Sequence, residues 1–341
     1  MIQVRVGAFF LTCLLFLGLF AACAPTAVDH EQVSESDKIV IRFSHVVGED
    51  TPKGQAARLF AKLMKERTNG KVEVQVFSNG SLYKDSEELN ALAEGHVQMI
   101  APALSKLSNL VPELGAFDLP YLYSDLDGYH RVFDGQIGQA IARKLEKHNM
   151  LLLAAWDSGF KQFTNNLRPI REPQDMAGLT MRIMPSAVLG QQFNLLQVRP
   201  IEMNFNDVYL ALEQGKIQGQ ENTISNIYSK RFYKVQNYMT LSDHGYLGYL
   251  VVIDRTFWNR LPAGVQSVIL ETMREVTNWE RTQAVKLEQA KLQEIYNCRC
   301  IQIERLTETQ KAKWKQFYQP LYADMQQRLG QDFFRELNLT P

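Results

Sequence analysis

The spacing of apolar and polar positions changes in a regular order along the first third of the chain. Ile39-Val-Ile-Arg-Phe43 is rich in β-branched and aromatic residues and predicts a strand. Thr51-Pro52 follows as an N-cap with proline in the first helical position. Leu59, Phe60, Leu63 and Met64 then fall on one stripe of a helix that Asn69-Gly70 ends. Val72, Val74 and Val76 alternate with polar residues, the period of a strand. A second helix from Asp85 to Glu94 stops at Gly95, and Val97 to Ala101 predicts a third strand.

The same order returns over residues 179–221. Ala91-Leu-Ala-Glu-Gly-His-Val-Gln98 and Ala211-Leu-Glu-Gln-Gly-Lys-Ile-Gln218 share the pattern A-L-x-x-G-x-[V/I]-Q at a spacing of 120 residues. Glycine at such joints has a local cause, the left-handed end of a helix. The matching flanks and element order together point further, to two βαβαβ lobes facing each other. Beyond them, residues 265–319 contain neither Gly nor Pro, and Pro262-Ala-Gly264 is a start signal. A helix from Val265 to Ile295 would run about 45 Å at 1.5 Å per residue, more than one lobe. Val265, Ile269, Met273 and Val276 form one apolar stripe and Ala284, Leu287 and Ala290 another, with polar Thr277 to Gln283 between, so the helix is expected to lie across both lobes as a strut.

At the other end, Met1-Ile-Gln-Val-Arg5 is a short basic start, Val6 to Ala22 carries no charge, and Ala21-Ala22 precedes Cys23. This is the pattern of a secretory signal over 1–22, with an apolar run slightly short of the ~20 residues of a membrane span. Lipid attachment at Cys23, which would tether the protein to a membrane surface, stays open beside plain cleavage and a retained anchor. Residues 23–37 are polar and predict a flexible tether. Charge is balanced, 37 Lys and Arg against 37 Asp and Glu, so nothing points to nucleic acid. Of four cysteines, Cys13 leaves with the signal. Cys298 and Cys300 are two apart, where a bridge within a strand would be strained, and read as packing residues, with an oxidised pair as the lesser alternative. The remaining chain of about 300 residues suits two lobes.

In open α/β sheets ligands bind beyond the carboxyl ends of the strands. Those positions hold Ser44 and His45, Ser78 to Tyr83, and Pro102 and Ala103 in the first unit, and Arg182, Asn204, Phe205, Glu221 and Asn222 in the second. Trp156 to Gln162 follows a strand over Met150 to Ala155 and is expected at the crossover. Arg182 sits against an apolar strand, where a guanidinium needs an anion, and its fork of donors fits a carboxylate. An internal ion pair with Asp175 or Glu221 would satisfy it equally. Lys161 and Lys53 read equally well as solvated lysines, Asn222 as a helix cap, and Phe205 and Trp156 as core. No G-x-S-x-G, phosphate loop, G-x-G-x-x-G or H-E-x-x-H occurs. The six histidines (30, 45, 96, 130, 148, 244) lack metal-ligand spacing, so neither metal nor cofactor is expected.

At these same positions the chain resembles the extracytoplasmic binding subunit of tripartite ATP-independent periplasmic (TRAP) transporters, most closely the four-carbon dicarboxylate branch. The segments are Ser44-His-Val-Val-Gly-Glu-Asp-Thr-Pro-Lys-Gly54, Leu82-Tyr83, Ala101-Pro-Ala-Leu-Ser-Lys106, Phe117-Asp-Leu-Pro120, Gly159-Phe-Lys-Gln162, Gly178-Leu-Thr-Met-Arg182 and Gly219-Gln-Glu-Asn222. The resemblance implies an α/β two-lobed periplasmic binding protein fold with a long helix spanning both lobes. Lobe one is expected over 38–159 and 248–287, lobe two over 160–247 and 288–341. It implies a non-enzymatic periplasmic protein that captures a small organic acid of the succinate, malate or fumarate type for a membrane permease. Arg182 would pair with a ligand carboxylate and Asn222 would hydrogen-bond the same group. Phe205, Lys161, His45, Lys53, Trp156 and Ala103 would complete the site. Ala103 stands where the branch carries Ser, which puts the exact ligand in doubt though not its class, and because Lys53 is the least secure of the three basic groups a keto or aromatic acid stays open. A ligand sensor for a signalling receptor and an exported hydrolase are the competing readings.

Overall fold

Residues 38–338 are described by the computed structural model. The expected signal over 1–22, the tether over 23–37 and Cys23 lie outside them. The strands are β1 Ile39–Ser44, β2 Val72–Phe77, β3 Met99–Ile100, β4 Met150–Asn165, β5 Thr180–Ile183, β6 Arg199–Glu202, β7 Gly219–Asn222, β8 Tyr238–Asp254 and β9 Gln302–Arg305. They form one sheet in the order β2-β1-β3-β8-β4-β7-β5-β6, with β9 beside β8. β1 is parallel to β2 and β3, and β5 is parallel to β6 and β7, which gives each half its own parallel trio.

The halves are joined by β4 and β8, 16 and 17 residues long, which pair antiparallel along their whole length. Near Met150 and Asp254 the pair lies against β3, while near Gln162 it lies against β7. Between those ends the register slips at Leu152/Ala154, Asp157/Gly159 and Lys161/Phe163. Each slip bends and twists the ribbon, which turns one half against the other. Trp156 to Gln162, expected after a strand, is therefore strand itself. Val97 to Ala101 contributes only the two paired residues of β3, and the helix expected from Asp85 begins at Glu88.

The repeated pattern has a structural counterpart. Gly95 and Gly215 both take positive φ, 75° and 66°. Gln98 N donates to Arg42 O at 3.1 Å and its Oε1 accepts from Arg42 N at 3.0 Å. Gln218 does the same with Thr180, at 2.8 and 2.5 Å. The shared glutamine thus stitches the third strand of each unit to its neighbour.

The long helix runs from Ala263 to Cys298, 36 residues, about 54 Å at 1.5 Å per residue. Near its start Arg67 donates to Thr272 Oγ1 at 3.0 Å. Near its far end Glu288 accepts from Ile224 N and Ser225 N at 2.9 and 2.7 Å, holding the first turn of the helix Ile224–Ser229. The polar break between its two apolar stripes meets the crossing strands: Thr277 accepts from Trp156 Nε1 at 3.0 Å and Glu280 from Asp157 N at 3.0 Å. The reading of Cys298 and Cys300 as packing residues is overturned. They are exposed and joined by a disulfide, Cα to Cα 5.2 Å. The helix runs on to Cys298 and Arg299 turns left-handed, φ 54°, so the two thiols meet without strand geometry.

Candidate functional site

A small cavity lies where the carboxyl ends of the two parallel trios face each other. The first half lends it Lys53, Asp85, Glu88, Ala103 and Lys106, the second Arg182, Phe205, Asn222 and Asn226, and β8 adds Leu247 and Tyr249. Each side chain is placed by a short local device. Thr51 accepts from Gly54 N and caps the helix Pro52–Arg67, which sets Lys53 in its first turn. Arg182 and Asn222 close β5 and β7, the ends of a parallel sheet where ligands gather.

Arg182 is held rather than loose. Its Nε and Nη2 both donate to Met203 O, at 3.0 and 2.9 Å, and the guanidinium lies 5.7 Å from the Phe205 ring centre. Among the described residues Nη1 has no hydrogen-bond partner. Burial pulls its pKa down, against Asp85 and Glu221. Neither carboxylate weighed as an internal partner takes it: Asp175 accepts from Arg171 N and Glu172 N, and Glu221 binds Lys161 and His244. Asp85 comes nearest at 3.9 Å, but that oxygen belongs more closely to Lys106, at 2.5 Å. Asn222 is similarly oriented, its Oδ1 accepting from Thr223 N at 3.1 Å and Asn226 Nδ2 at 2.8 Å. Among the described residues its amide NH2 has no hydrogen-bond partner, which leaves a donor on the cavity wall.

Across the cavity, Lys53 Nζ donates to Ala101 O at 2.8 Å and sits 3.5 Å over the Tyr249 ring. Burial lowers its pKa to about 7, opposed by Glu88. Burial likewise raises Glu88 to about 7, against the pull of Lys53 and Lys106. Ala103 presents its methyl group to the cavity.

Three residues expected at the site are elsewhere. Lys161 pairs with Glu221 at 2.6 Å, and His244 Nε2 meets the other Glu221 oxygen at 2.7 Å, all three fully buried beside the cavity rather than on it. Burial pushes Glu221 up, but Lys161 and His244 override it and hold it at about 2. Trp156 is core, with its indole turned to the long helix. His45 is buried behind the wall with neither ring nitrogen hydrogen-bonded among the described residues, and burial together with Lys53 keeps it well below the usual imidazole range. The residues that sequence reasoning left out are Asp85, Glu88, Lys106, Asn226 and Tyr249. Lys106 lay inside a quoted segment, whereas the acidic run from Asp85 to Glu88 looks like the solvated start of a helix.

The two halves touch around the cavity. Asp118 accepts from Ser105 Oγ at 2.6 Å and from Ser186 Oγ at 2.7 Å, and Asn206 Nδ2 donates to Asn79 O at 2.5 Å. Hydrogen bonds to a charged acceptor contribute about 1.5–3 kcal/mol each. Asp118→Ala is therefore expected to weaken ligand binding about tenfold or more by loosening closure, with small-angle scattering showing a larger radius of gyration in the presence of ligand.

A closed cleft with free donors on one wall and cations on the other defines a binding protein for a small organic anion. The model for the DctP family, bacterial extracellular solute-binding protein family 7, matches residues 43–329. The chain is 43% identical over 309 residues to the C4-dicarboxylate-binding protein DctB of Bacillus subtilis, covering 91% of this chain and 88% of the relative. A TRAP periplasmic solute-binding protein from Sulfurospirillum deleyianum with bound succinate superposes with a TM-score of 0.87 at 40% identity, over 89% of this chain and all of the other. One from Pseudomonas aeruginosa with bound L-malate gives 0.81 at 35% identity, over 84% and 99%. The chain belongs to the DctP family of TRAP solute-binding proteins, a family of extracytoplasmic binding proteins rather than enzymes.

Proposed function

We propose that this chain captures a four-carbon dicarboxylate of the succinate or malate type and delivers it to a TRAP permease in the membrane. The observation that carries the reading is that Arg182 Nη1 and Asn222 Nδ2, both without hydrogen-bond partners among the described residues, share one small cavity with Lys53 and Lys106. Together they offer donors for two carboxylates. Relatives named for C4-dicarboxylates and structural neighbours holding succinate and malate support the same class. The lobes are assigned to 38–159 with 248–287 and to 160–247 with 288–341. This puts the pivot at Gly159 and Leu247, partners beside a register slip. Arg182 and Asn222 bind the first carboxylate, Phe205 packs on the guanidinium, and Lys53 and the loop at Ala103 face the rest of the ligand. The signal exports the protein, and lipid on Cys23 holds it at the membrane.

A thermal-shift screen of succinate, malate and fumarate against oxo acids, aromatic acids and sugar acids tests the ligand. At a hundredfold excess over Kd a bound ligand stabilises by about 2.7 kcal/mol. A shift with sugar acids alone would reject the dicarboxylate. Loss of dicarboxylate uptake in a deletion strain separates a permease partner from a signalling receptor, and the mass of the mature N-terminus tests Cys23.

A further inference from the structure

The cavity wall carries five side chains that are charged in their ordinary state, Lys53, Lys106 and Arg182 against Asp85 and Glu88, and all but the partly buried Lys106 are buried. With each in its ordinary charge state their sum is +1. A dianion in the closed cleft turns that sum to −1, and water is no longer present to spread the excess charge. In a low-dielectric site an unbalanced charge is among the most costly features a protein can hold, and the usual relief is protonation.

The two acids are not equivalent. Asp85 is committed, with one oxygen on Lys106 at 2.5 Å and the other accepting from Phe205 N at 3.3 Å. Glu88 accepts only from Ser44 Oγ, at 3.1 Å on Oε1, and forms no ion pair among the described residues. Its Oε2 has no hydrogen-bond partner among the described residues, so a proton there would turn an acceptor into a donor on the cavity wall. Resting on the dicarboxylate reading, we propose that Glu88 takes one proton from solvent as the cleft closes on a doubly charged ligand, which balances the buried charge and gives the site a neutral carboxyl as a further donor.

The groups facing Glu88 set its tendency. Lys53 from the helix Pro52–Arg67 and Lys106 from the helix after Ala103 favour the anion, Ser44 from β1 also favours it, and Asp85 opposes it. Burial outweighs these and places Glu88 near 7 before any ligand charge is added, and a dianion raises it further. Arg182 from β5 and Tyr249 from β8 share the cavity and keep their protonation at neutral pH. Lys53, which burial brings to about 7, and His45, behind the wall, are the other groups able to receive a proton, but burial and Lys53 disfavour the charged form of His45.

In the open, hydrated cleft Glu88 returns toward the ordinary carboxylate range, about 4.3. Its pKa is thus higher in the bound state, so its contribution to binding is full at low pH and is lost as pH rises through the bound value. Calorimetry of succinate binding near neutral pH, in buffers of different ionisation enthalpy, counts the protons. The expected result is uptake approaching one proton per ligand, with Kd rising by up to about tenfold per pH unit above the ligand's own ionisations. E88Q, which carries a neutral donor at every pH, is expected to bind with a proton count near zero and a flat Kd profile. Succinate binding without proton uptake in the wild type would overturn this inference and leave the dicarboxylate reading standing. Uptake that persists in E88Q would move the proton to His45 or Lys53 and overturn it as well, as would an E88Q that folds but no longer binds. If E88Q does not fold, the wild-type count decides alone. Absence of binding heat with succinate, malate and fumarate alike would fall on the dicarboxylate reading and remove the inference with it.

Discussion

Arg182→Ala is expected to weaken binding of a four-carbon dicarboxylate by about a hundredfold to a few thousandfold while the protein stays folded. Removing one partner of a buried, hydrogen-bonded ion pair costs about 3–5 kcal/mol, much of it from the charge left behind. Here the charge left behind is the ligand's carboxylate, so the loss falls on affinity. The fold is spared because Asp85, the carboxylate nearest the guanidinium among the described residues, keeps its closer ion pair with Lys106 at 2.5 Å. Arg182→Lys separates geometry from charge. A lysine cannot spend two donors on Met203 O and still offer a third in the same plane, so it is expected to recover only part of the loss. Calorimetry placing Arg182→Ala within a few-fold of wild type would reject Arg182 as the carboxylate anchor.

What the sequence made legible follows from which interactions are local. The duplicated unit could be read because its markers, Gly95 with Gln98 and Gly215 with Gln218, act on the next strand within a few residues of a helix end. Arg182, Asn222, Phe205 and Ala103 could be placed because strand ends in a parallel sheet converge on one crevice, so position along the strand is enough, whereas Lys53, in the first turn of a helix, was placed by the family resemblance. Glu88 and Asp85 could not. Acids in the first turn of a helix are ordinarily solvated and favourable to the helix dipole, and only the packing of the second half over them makes them cavity groups. The cysteine pair was misread for a related reason: the helix runs on through Cys298, and its left-handed end at Arg299 is fixed by structure that no residue near it announces.

Closure and capture draw on the same residues. Asp85 accepts from Phe205 N across the cleft, and Phe205 in turn packs on Arg182, so the residue proposed to anchor the ligand is also tied to the contact between the halves. The ribbon of β4 and β8 bends beside that contact, and the long helix braces the ribbon through Thr277 and Glu280. A ligand that neutralises Arg182 and the lysines therefore favours the closed arrangement directly, by its different interaction with the two states.

Lys161→Met is expected to lower stability by about 3–5 kcal/mol in chemical denaturation and to change ligand affinity by no more than a few-fold in the folded fraction. The resemblance to known sequences placed Lys161 on the ligand, but residue 161 is interior to β4 and faces Glu221 of β7, not the cavity. Methionine fills the volume and leaves Glu221 with only His244, whose charged form burial disfavours, so a buried carboxylate loses its cation. Replacing both members, with Glu221→Gln added, is expected to restore most of the loss, because a neutral pair leaves no charge to compensate. The pH dependence follows from the same pair. Glu221 is held at about 2 against an ordinary 4.5, so its stabilising contribution is complete above about pH 4.5 and is lost as pH falls through 2. The single variant should lose that acid-side transition along with its stability. A Lys161→Met protein as stable as wild type but unable to bind dicarboxylate would return Lys161 to the ligand and sink the structural role given to it here.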